Sequence, residues 1–227
     1  MATYNVFGFG FGIEQAAAAL LSGPIGSSPD VTLVQECGSR AQLRRFATSL
    51  GARAVSTHRR FSRIRNAVLY RAPWELSGPH TVHDLPSQGP TYPRGLIVAP
   101  LRAGAQGLSA VSVHFGLSLV ERQAHAAEVV QFLAGLDGPV VVGMDLNEEI
   151  DGPSGGRLME RLREAFATSG YASAATYPAD APRSRIDYVL ASSEIRIIRA
   201  WTGEGFVAAR GSDHLPVFAE IEIDDAL

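Results

Sequence analysis

The chain has 227 residues, 46% of them hydrophobic, enough for one large core or two small ones. A net charge of −3 and a pI near 6.1 argue against a protein that coats duplex nucleic acid, because such binding needs many phosphate-neutralising side chains. All 20 basic residues are arginine, which excludes lysine Schiff-base chemistry and the lysine of a P-loop.

Tyr4 to Phe7 reads as a short strand carrying Asn5. The glycines of Gly8-Phe9-Gly10-Phe11-Gly12 then predict a loop, and their spacing is not that of a dinucleotide fingerprint. Ala16, Ala17, Leu20 and Leu21 fall on one helical face, and Ser22-Gly23-Pro24 stops that helix. Val31 to Gln35 is a buried strand running into Glu36. Cys37, the single cysteine, has no internal partner and reads as a small buried hydrophobe. Leu43, Phe46, Ala47 and Leu50 form the next helical stripe, closed by Gly51. Arginines stand at 40, 44, 45, 53, 59, 60, 63, 65 and 71, with no acidic residue between the first and the last. That run is either a solvated helix face and loop or an approach path for an anionic substrate.

Asn66 to Tyr70 is another short strand, and Trp74 to Pro93 is rich in turn residues. Gly95 to Leu101 and Leu108 to Phe115 read as strands, with His114 at the far end of the second. Ser118 to Leu136 is a helix with a capping box of Ser118 and Glu121. Its buried stripe is Val129, Phe132, Leu133 and Leu136, and His125 within it reads as a surface residue. Pro139 to Met144 is the most apolar strand and empties into Asp145-Leu146-Asn147. Leu158, Leu162, Ala165 and Phe166 mark a further helix ended by Gly170. Ile186 to Ala191 and Ile195 to Trp201 look like a strand pair, with Asp187 at the start of the first. Ser212-Asp213-His214-Leu215-Pro216 is a loop feeding a strand, because Pro216 has no amide donor and Ala219, Ile221 and Ile223 then alternate with Glu220 and Glu222. A short acidic tail follows.

No repeat, linker or composition break divides residues 1–227, so one domain is expected. Strands outnumber helices and several are apolar on both faces, which predicts a layered α/β fold with sheets covered on both sides. The N-terminus lacks a basic-then-apolar signal pattern and no apolar run is long enough to span a bilayer, so the cytoplasm is the expected location.

Polar residues recur at strand ends. Four strands finish in Asn5, Glu36, His114 and Asp145, with Asn147 just after, and two start with Asp187 and with Asp213-His214. If the last two strands run opposite to the other four, all these groups gather at one edge of the sheets. Carboxylates and an amide oxygen are hard ligands suited to Mg²⁺ or Mn²⁺, and the chain has no zinc-type ligand spacing. No G-x-S-x-G elbow is present, which disfavours a serine hydrolase. The set fits cleavage of a phosphate ester, with histidines donating to phosphate oxygens.

The segments Thr3-Tyr4-Asn5-Val6, Val34-Gln35-Glu36, Asn66-Ala67-Val68, Val113-His114-Phe115, Gly143-Met144-Asp145-Leu146-Asn147, Arg185-Ile186-Asp187-Tyr188 and Ser212-Asp213-His214-Leu215-Pro216-Val217 occur in an order that resembles the endonuclease/exonuclease/phosphatase superfamily, the fold of pancreatic deoxyribonuclease. The resemblance implies a four-layer α/β sandwich: two mixed β-sheets face to face, helices outside, and the site where strand ends of both sheets meet. It implies Glu36 as the main Mg²⁺ ligand with Asn5 and Asp213 near the metal. It implies Asp145 as the group that orients or deprotonates water and Asn147 as a phosphate holder. His114 and His214 would contact the scissile phosphate, and Asp187 would pair with His214. Asp145 and His214 both remain candidates for the general base. Asn66 and Arg185 would lie on the substrate side. Two positions depart from the family: Met144, where a small residue is usual and the site would be narrowed, and Arg65, where glycine is common. The implied activity is metal-dependent hydrolysis of a phosphomonoester or phosphodiester; separately, a monomer is expected. Alternatives are a DNA repair nuclease, for which the arginine run speaks, a lipid phosphodiesterase, and a non-catalytic binding module on the same scaffold.

Overall fold

The computed structural model describes residues 1–23, 28–57, 64–87, 92–169 and 175–223. Pro24, the arginines at 59, 60 and 63, Gly170 and the acidic tail lie outside the described residues.

Two mixed sheets pack face to face. The first contains β1 (Ala2–Asn5), β2 (Val31–Gly38), β3 (Arg53–Ser56) and β4 (Ile64–Tyr70), followed much later in the chain by β12 (Ile195–Thr202) and β13 (Val217–Ile223). Its order is β12-β13-β1-β2-β4-β3, with β1 and β2 parallel and the other neighbours antiparallel. The second contains β5 (Glu75–Leu76), β6 (Thr81–Asp84), β7 (Gly95–Ala103), β8 (Gln106–His114), β9 (Val140–Asp145), β10 (Arg163–Glu164) and β11 (Asp187–Ala191). Its order is β10-β11-β9-β8-β7-β5, with β6 also on β7 and only β8–β9 parallel.

Period two sorts the apolar residues into three layers. Leu33, Val68, Ile97, Val141, Val189 and Val217 point inward and form the core between the sheets. Tyr4, Val34 and Leu69 point outward onto α1 (Ile13–Leu21) and α2 (Arg40–Ser49), which contribute Leu20, Leu43 and Phe46. Val113, Val142 and Met144 point outward on the other side, onto Ala126, Val129 and Leu133 of α3 (Leu119–Leu133) and Leu158 of α4 (Pro153–Leu158). The four-layer sandwich is therefore present. Met144 is fully buried in the outer layer, so it does not narrow the site. Cys37 is buried as expected.

Other details differ from the sequence reading. The segments from Ile186 and from Ile195 are not a strand pair: both neighbours of β11 are taken, by β9 and β10, and β12 joins the other sheet. The helix expected through Leu158 and Phe166 is two short helices, α4 and α5 (Ala165–Ser169), because Arg163 and Glu164 between them add a strand beside β11. His125 is fully buried rather than on the surface. Its Nδ1 accepts from Gly116 N at 3.1 Å and its Nε2 donates to Pro86 O at 2.8 Å, so both ring nitrogens are bonded and burial holds the ring below its ordinary pKa.

Beneath the site end the two sheets are joined by polar groups. Gln35 Nε2 lies 3.1 Å from Thr3 Oγ1, 3.2 Å from Ser112 Oγ and 3.2 Å from Gly143 O. Ser112 Oγ donates to Val34 O at 2.9 Å, and Asn66 Nδ2 donates to Gly95 O and Ser112 O at 3.2 and 3.1 Å. Gly143 is required for this approach: a Cβ there would stand 2.6 Å from Leu33 Cβ and 2.8 Å from Thr3 Cβ. Gly143→Ala should lower stability by about 2 kcal/mol or more through forced separation of the sheets. Urea unfolding measures it, and a loss under ~0.5 kcal/mol would show that the sheets have room to spare.

Candidate active site

The inward stripe of each central strand continues into one polar residue. Thr3 is followed two residues on by Asn5, Leu33 by Gln35, Ser112 by His114 and Gly143 by Asp145; in the reversed strands Val68 is preceded by Asn66 and Val189 by Asp187. Register then sets them side by side. Asn5, Gln35 and Asn66 are lateral neighbours in one sheet, and His114, Asp145 and Asp187 in the other.

Glu36 breaks the alternation. Period two would turn it outward toward α2. Instead β2 carries one extra residue between Gln35 and Gly38, opposite Asn66 and Ile64, and Glu36 takes a left-handed φ of 53°. That bulge turns the carboxylate into a cleft of about 180 Å³ that it shares with Asn66, Tyr92, Arg94 and His114. Asn147 has the same backbone class, φ 55°, with its amide donating to Asp145 Oδ1 at 3.0 Å. Left-handed non-glycine residues store roughly 1 kcal/mol or more each and collect at functional sites.

Asn5 Nδ2 donates to Asp145 Oδ2 at 2.8 Å and to Glu36 Oε1 at 3.3 Å, while its oxygen accepts from Phe7 N. It therefore braces the two carboxylates and turns a nitrogen, not the expected ligand oxygen, toward them. His114 Nδ1 accepts from Arg94 Nη1 at 2.8 Å; an arginine only donates, so the ring hydrogen belongs on Nε2, 3.2 Å from Asp145 Oδ2. Asn147 Nδ2 donates to Phe115 O at 3.1 Å and lies 3.1 Å from His114 Nε2.

His214 enters from the opposite sheet. Backbone bonds Leu215 N to Thr176 O and Ala179 N to Asp213 O lace its loop to the segment before β11, and the Tyr177 ring packs 5.0 Å from the imidazole. Its Nδ1 donates to Asp187 Oδ2 at 2.8 Å and its Nε2 faces Asp145 Oδ2 at 3.9 Å. Burial opposes a charge on the ring, but Asp187, then Asp145 and Asp213, outweigh it and push His214 up to about 10. Burial also works against the Asp145 charge, yet His114, His214 and the Asn5 amide hold this carboxyl well below the usual range. Asp187 goes the other way, raised by burial and by Asp145 despite His214.

Ligand atoms of Asp145, Asp187 and His214 lie within 4.8 Å of one another, a spacing that could hold a metal ion. His214 Nδ1 is already bonded to Asp187, which leaves Nε2 as its free ring nitrogen, turned toward Asp145 Oδ2 at 3.9 Å. Asp213 is half-buried, with Oδ1 accepting from Ser212 Oγ at 3.1 Å. Asn66 spends both amide hydrogens on bonds between the sheets, and its buried Oδ1 has no hydrogen-bond partner among the described residues. Arg185 is engaged elsewhere: it pairs with buried Glu164 at 3.6 Å and lies over the rings of Phe166 and Tyr188. Arg94 and Tyr177 belong to the site and are missed in the sequence. The signal for Arg94 was an arginine within a proline-rich segment immediately ahead of a strand.

The raised His214 pKa carries a stability signature. A group held above its ordinary 6.5 lends stability that is complete below that pH and fades as pH rises from 6.5 toward 10. NMR of the ring in chelator should show it still charged at about pH 8, and Asp187→Asn should return its titration toward the ordinary range. A wild-type ring already neutral at about pH 7 would sink the assignment.

The sequence matches the Endonuclease/Exonuclease/phosphatase family over residues 2–214. No curated protein gives a significant sequence match to the chain. Among solved structures, an endonuclease/exonuclease/phosphatase from Bacteroides vulgatus superposes with a TM-score of 0.82 at 15% identity, covering 98% of each chain. A mannosyl-6-phosphatase from Bacteroides thetaiotaomicron VPI-5482 gives 0.80 at 19% identity, again covering 98% of each chain. D. rerio TDP2 complexed with single strand DNA product gives 0.77 at 16%, covering 97% of each chain. The chain belongs to the endonuclease/exonuclease/phosphatase family.

Proposed function

We propose that the protein is a divalent-metal-dependent phosphoesterase that hydrolyses a phosphomonoester or phosphodiester by in-line attack of water. The observation that carries this reading is His214, bonded to Asp187 on one nitrogen and facing Asp145 with the other, beside a cleft that holds Glu36.

The donor set fits a hard cation. Glu36, Asp145, Asp187 and Asp213 surround the site, against Arg94 and a charged His214. Negative charge is thus in excess where oxygen donors are concentrated, the setting that favours Mg²⁺ or Mn²⁺. Glu36, one-third exposed toward the cleft, is the first ligand we assign, with Asn5 holding its carboxylate in place, and Asp213, next to His214 in the chain, is the second. When bound, the cation supplies neutralisation of charge on the phosphate and the departing oxygen.

The chain's own residues do the rest. Asp145 stays ionised and accepts a hydrogen bond from the attacking water, taking its proton as the new phosphorus–oxygen bond forms, while the ester phosphorus–oxygen bond on the opposite side breaks and the departing oxygen takes up a proton from solvent. His214 carries a proton at neutral pH, so it donates rather than accepts, placing Nε2–H against a phosphoryl oxygen. Asn147 and Arg94 offer further donors to the same oxygens, and His114 couples Arg94 to Asp145. Asp187 keeps the imidazole oriented and charged.

Hydrolysis of generic phosphomonoesters and phosphodiesters, and of nicked or abasic DNA, should be tested with Mg²⁺, with Mn²⁺ and with chelator. Activity should vanish in chelator and return with the metal. Asp145→Asn and His214→Ala should each lower turnover by about 100-fold or more while circular dichroism shows the fold retained at the assay temperature, His214→Ala melting lower because buried Asp187 loses its partner. Near-normal turnover in either purified variant rejects the mechanism, and metal binding without hydrolysis of any substrate favours a binding module.

A further inference from the structure

We propose that Arg65 is a positioning residue that presents Arg94 to the phosphoryl end of the cleft; this rests on the reading of the cleft given above. Arg65 stands on β4 of the first sheet, one residue from Asn66, with its side chain only 4% exposed. A guanidinium so far from water must spend its charge on protein groups. It does so across the gap between sheets. Nη2 pairs with Asp84 at the end of β6, and Nη1 donates to Arg94 O at 2.7 Å, just before β7. One planar fork thus fixes two chains of the opposite sheet, a geometry that a single ammonium cannot reproduce.

The sequence around the fork is shaped to it. Gly95 follows Arg94, and a Cβ there would stand 3.0 Å from Arg65 Nη1 and 2.8 Å from His83 O. The Arg94 carbonyl therefore receives Arg65 from the side and Leu85 N from the ladder, at 3.1 Å. With its backbone held at that point, the Arg94 side chain lies across His114 Nδ1 at 2.8 Å and over the Tyr92 ring at 5.7 Å. Arg65, Arg94 and Glu36 all line the same cleft. The guanidinium that meets the substrate's anionic oxygens is thus placed by one that does not.

A double-mutant cycle tests it. Arg65→Gly and Arg65→Lys are made in the wild-type and in the Arg94→Gln background, and Asp84→Asn serves as the gentler variant should Arg65→Gly fold poorly. The readouts are affinity for inorganic phosphate by calorimetry, KM and kcat on a phosphoester, and thermal melting. Arg65→Gly should weaken phosphate binding and raise KM by about tenfold, with a smaller change in kcat. Arg65→Lys should recover part of that loss, and Asp84→Asn should show a smaller shift in the same direction. In the Arg94→Gln background the Arg65 substitutions should add less than about twofold, since coupled residues are not additive. Equal losses in both backgrounds, or lower melting with phosphate affinity unchanged, would overturn the proposal and leave Arg65 as mere scaffolding. A wild-type protein that binds phosphate and gives the expected cycle but hydrolyses nothing would refute the phosphoesterase reading while sustaining this one.

Discussion

The structure depends on a polar seam buried between two sheets. Gln35 reaches from the first sheet to Ser112 and Gly143 of the second, while Asn66 reaches to Gly95 and Ser112. A face-to-face sandwich is normally sealed by interdigitated apolar side chains about 10 Å thick. Here the apolar core of Leu33, Val68, Val141 and Val189 holds the sheets over most of their length. Near the site it gives way to amides and hydroxyls, and the glycine at 143 lets the backbones come close. Each bond across the seam contributes only about 1 kcal/mol, but leaving one buried partner unsatisfied costs more than that. The relative position of the sheets is therefore fixed most tightly immediately behind the residues that must meet.

That constraint explains how groups from distant parts of the chain converge within hydrogen-bond distance. Asn5 and Asp145 are 140 residues apart in sequence and 2.8 Å apart in space. Neither sheet alone makes the site: one supplies Asn5 and Glu36, the other His114, Asp145 and Asp187, and His214 crosses between them. Burying so many carboxylates has a cost, since each loses hydration. The structure offsets it with pairing, and every one of Asp145, Asp187 and His114 has a charged or strongly polar partner within 3.2 Å. The remaining imbalance of charge lies at the cleft, where Glu36 stays partly open to solvent.

Much of the site was legible in the sequence because it sits at strand ends. An apolar run of alternating faces that stops at Asn5, His114 or Asp145 predicts both the strand and the direction in which its last side chain points. What could not be read was pairing. β11 and β12 are separated by only Ser192 to Glu194, as a hairpin would be, yet they belong to different sheets. Short spacing favours a hairpin locally, and only tertiary competition for the edges of β11 overrides it. His125 was misread for another reason. It lies four residues before Val129 and eight before Leu133, on the buried stripe itself, but a polar residue type outweighed the period. Burial became affordable because its two nitrogens meet a backbone donor and a backbone acceptor. Arg185 shows the converse: its neighbourhood in sequence resembles a substrate-side residue, while Glu164 and two aromatic rings hold it in the scaffold.

Glu36 marks the limit of pattern reading and also its use. Alternation alone sends this side chain out toward a helix, away from every other site residue. An extra residue in β2 and a left-handed backbone reverse it, and nothing in the local composition announces that inversion. A strand that simply continued would be more stable by the strain avoided, so the bulge persists because neighbours over-determine it. Asn5 holds the carboxylate from below, Gly38 takes the compensating left-handed turn, and Ser39 then caps α2 with a reciprocal pair to Gln42. Fold and site thus compete at a single residue, and the resolution is to let the strand break where the carboxylate must face the cleft.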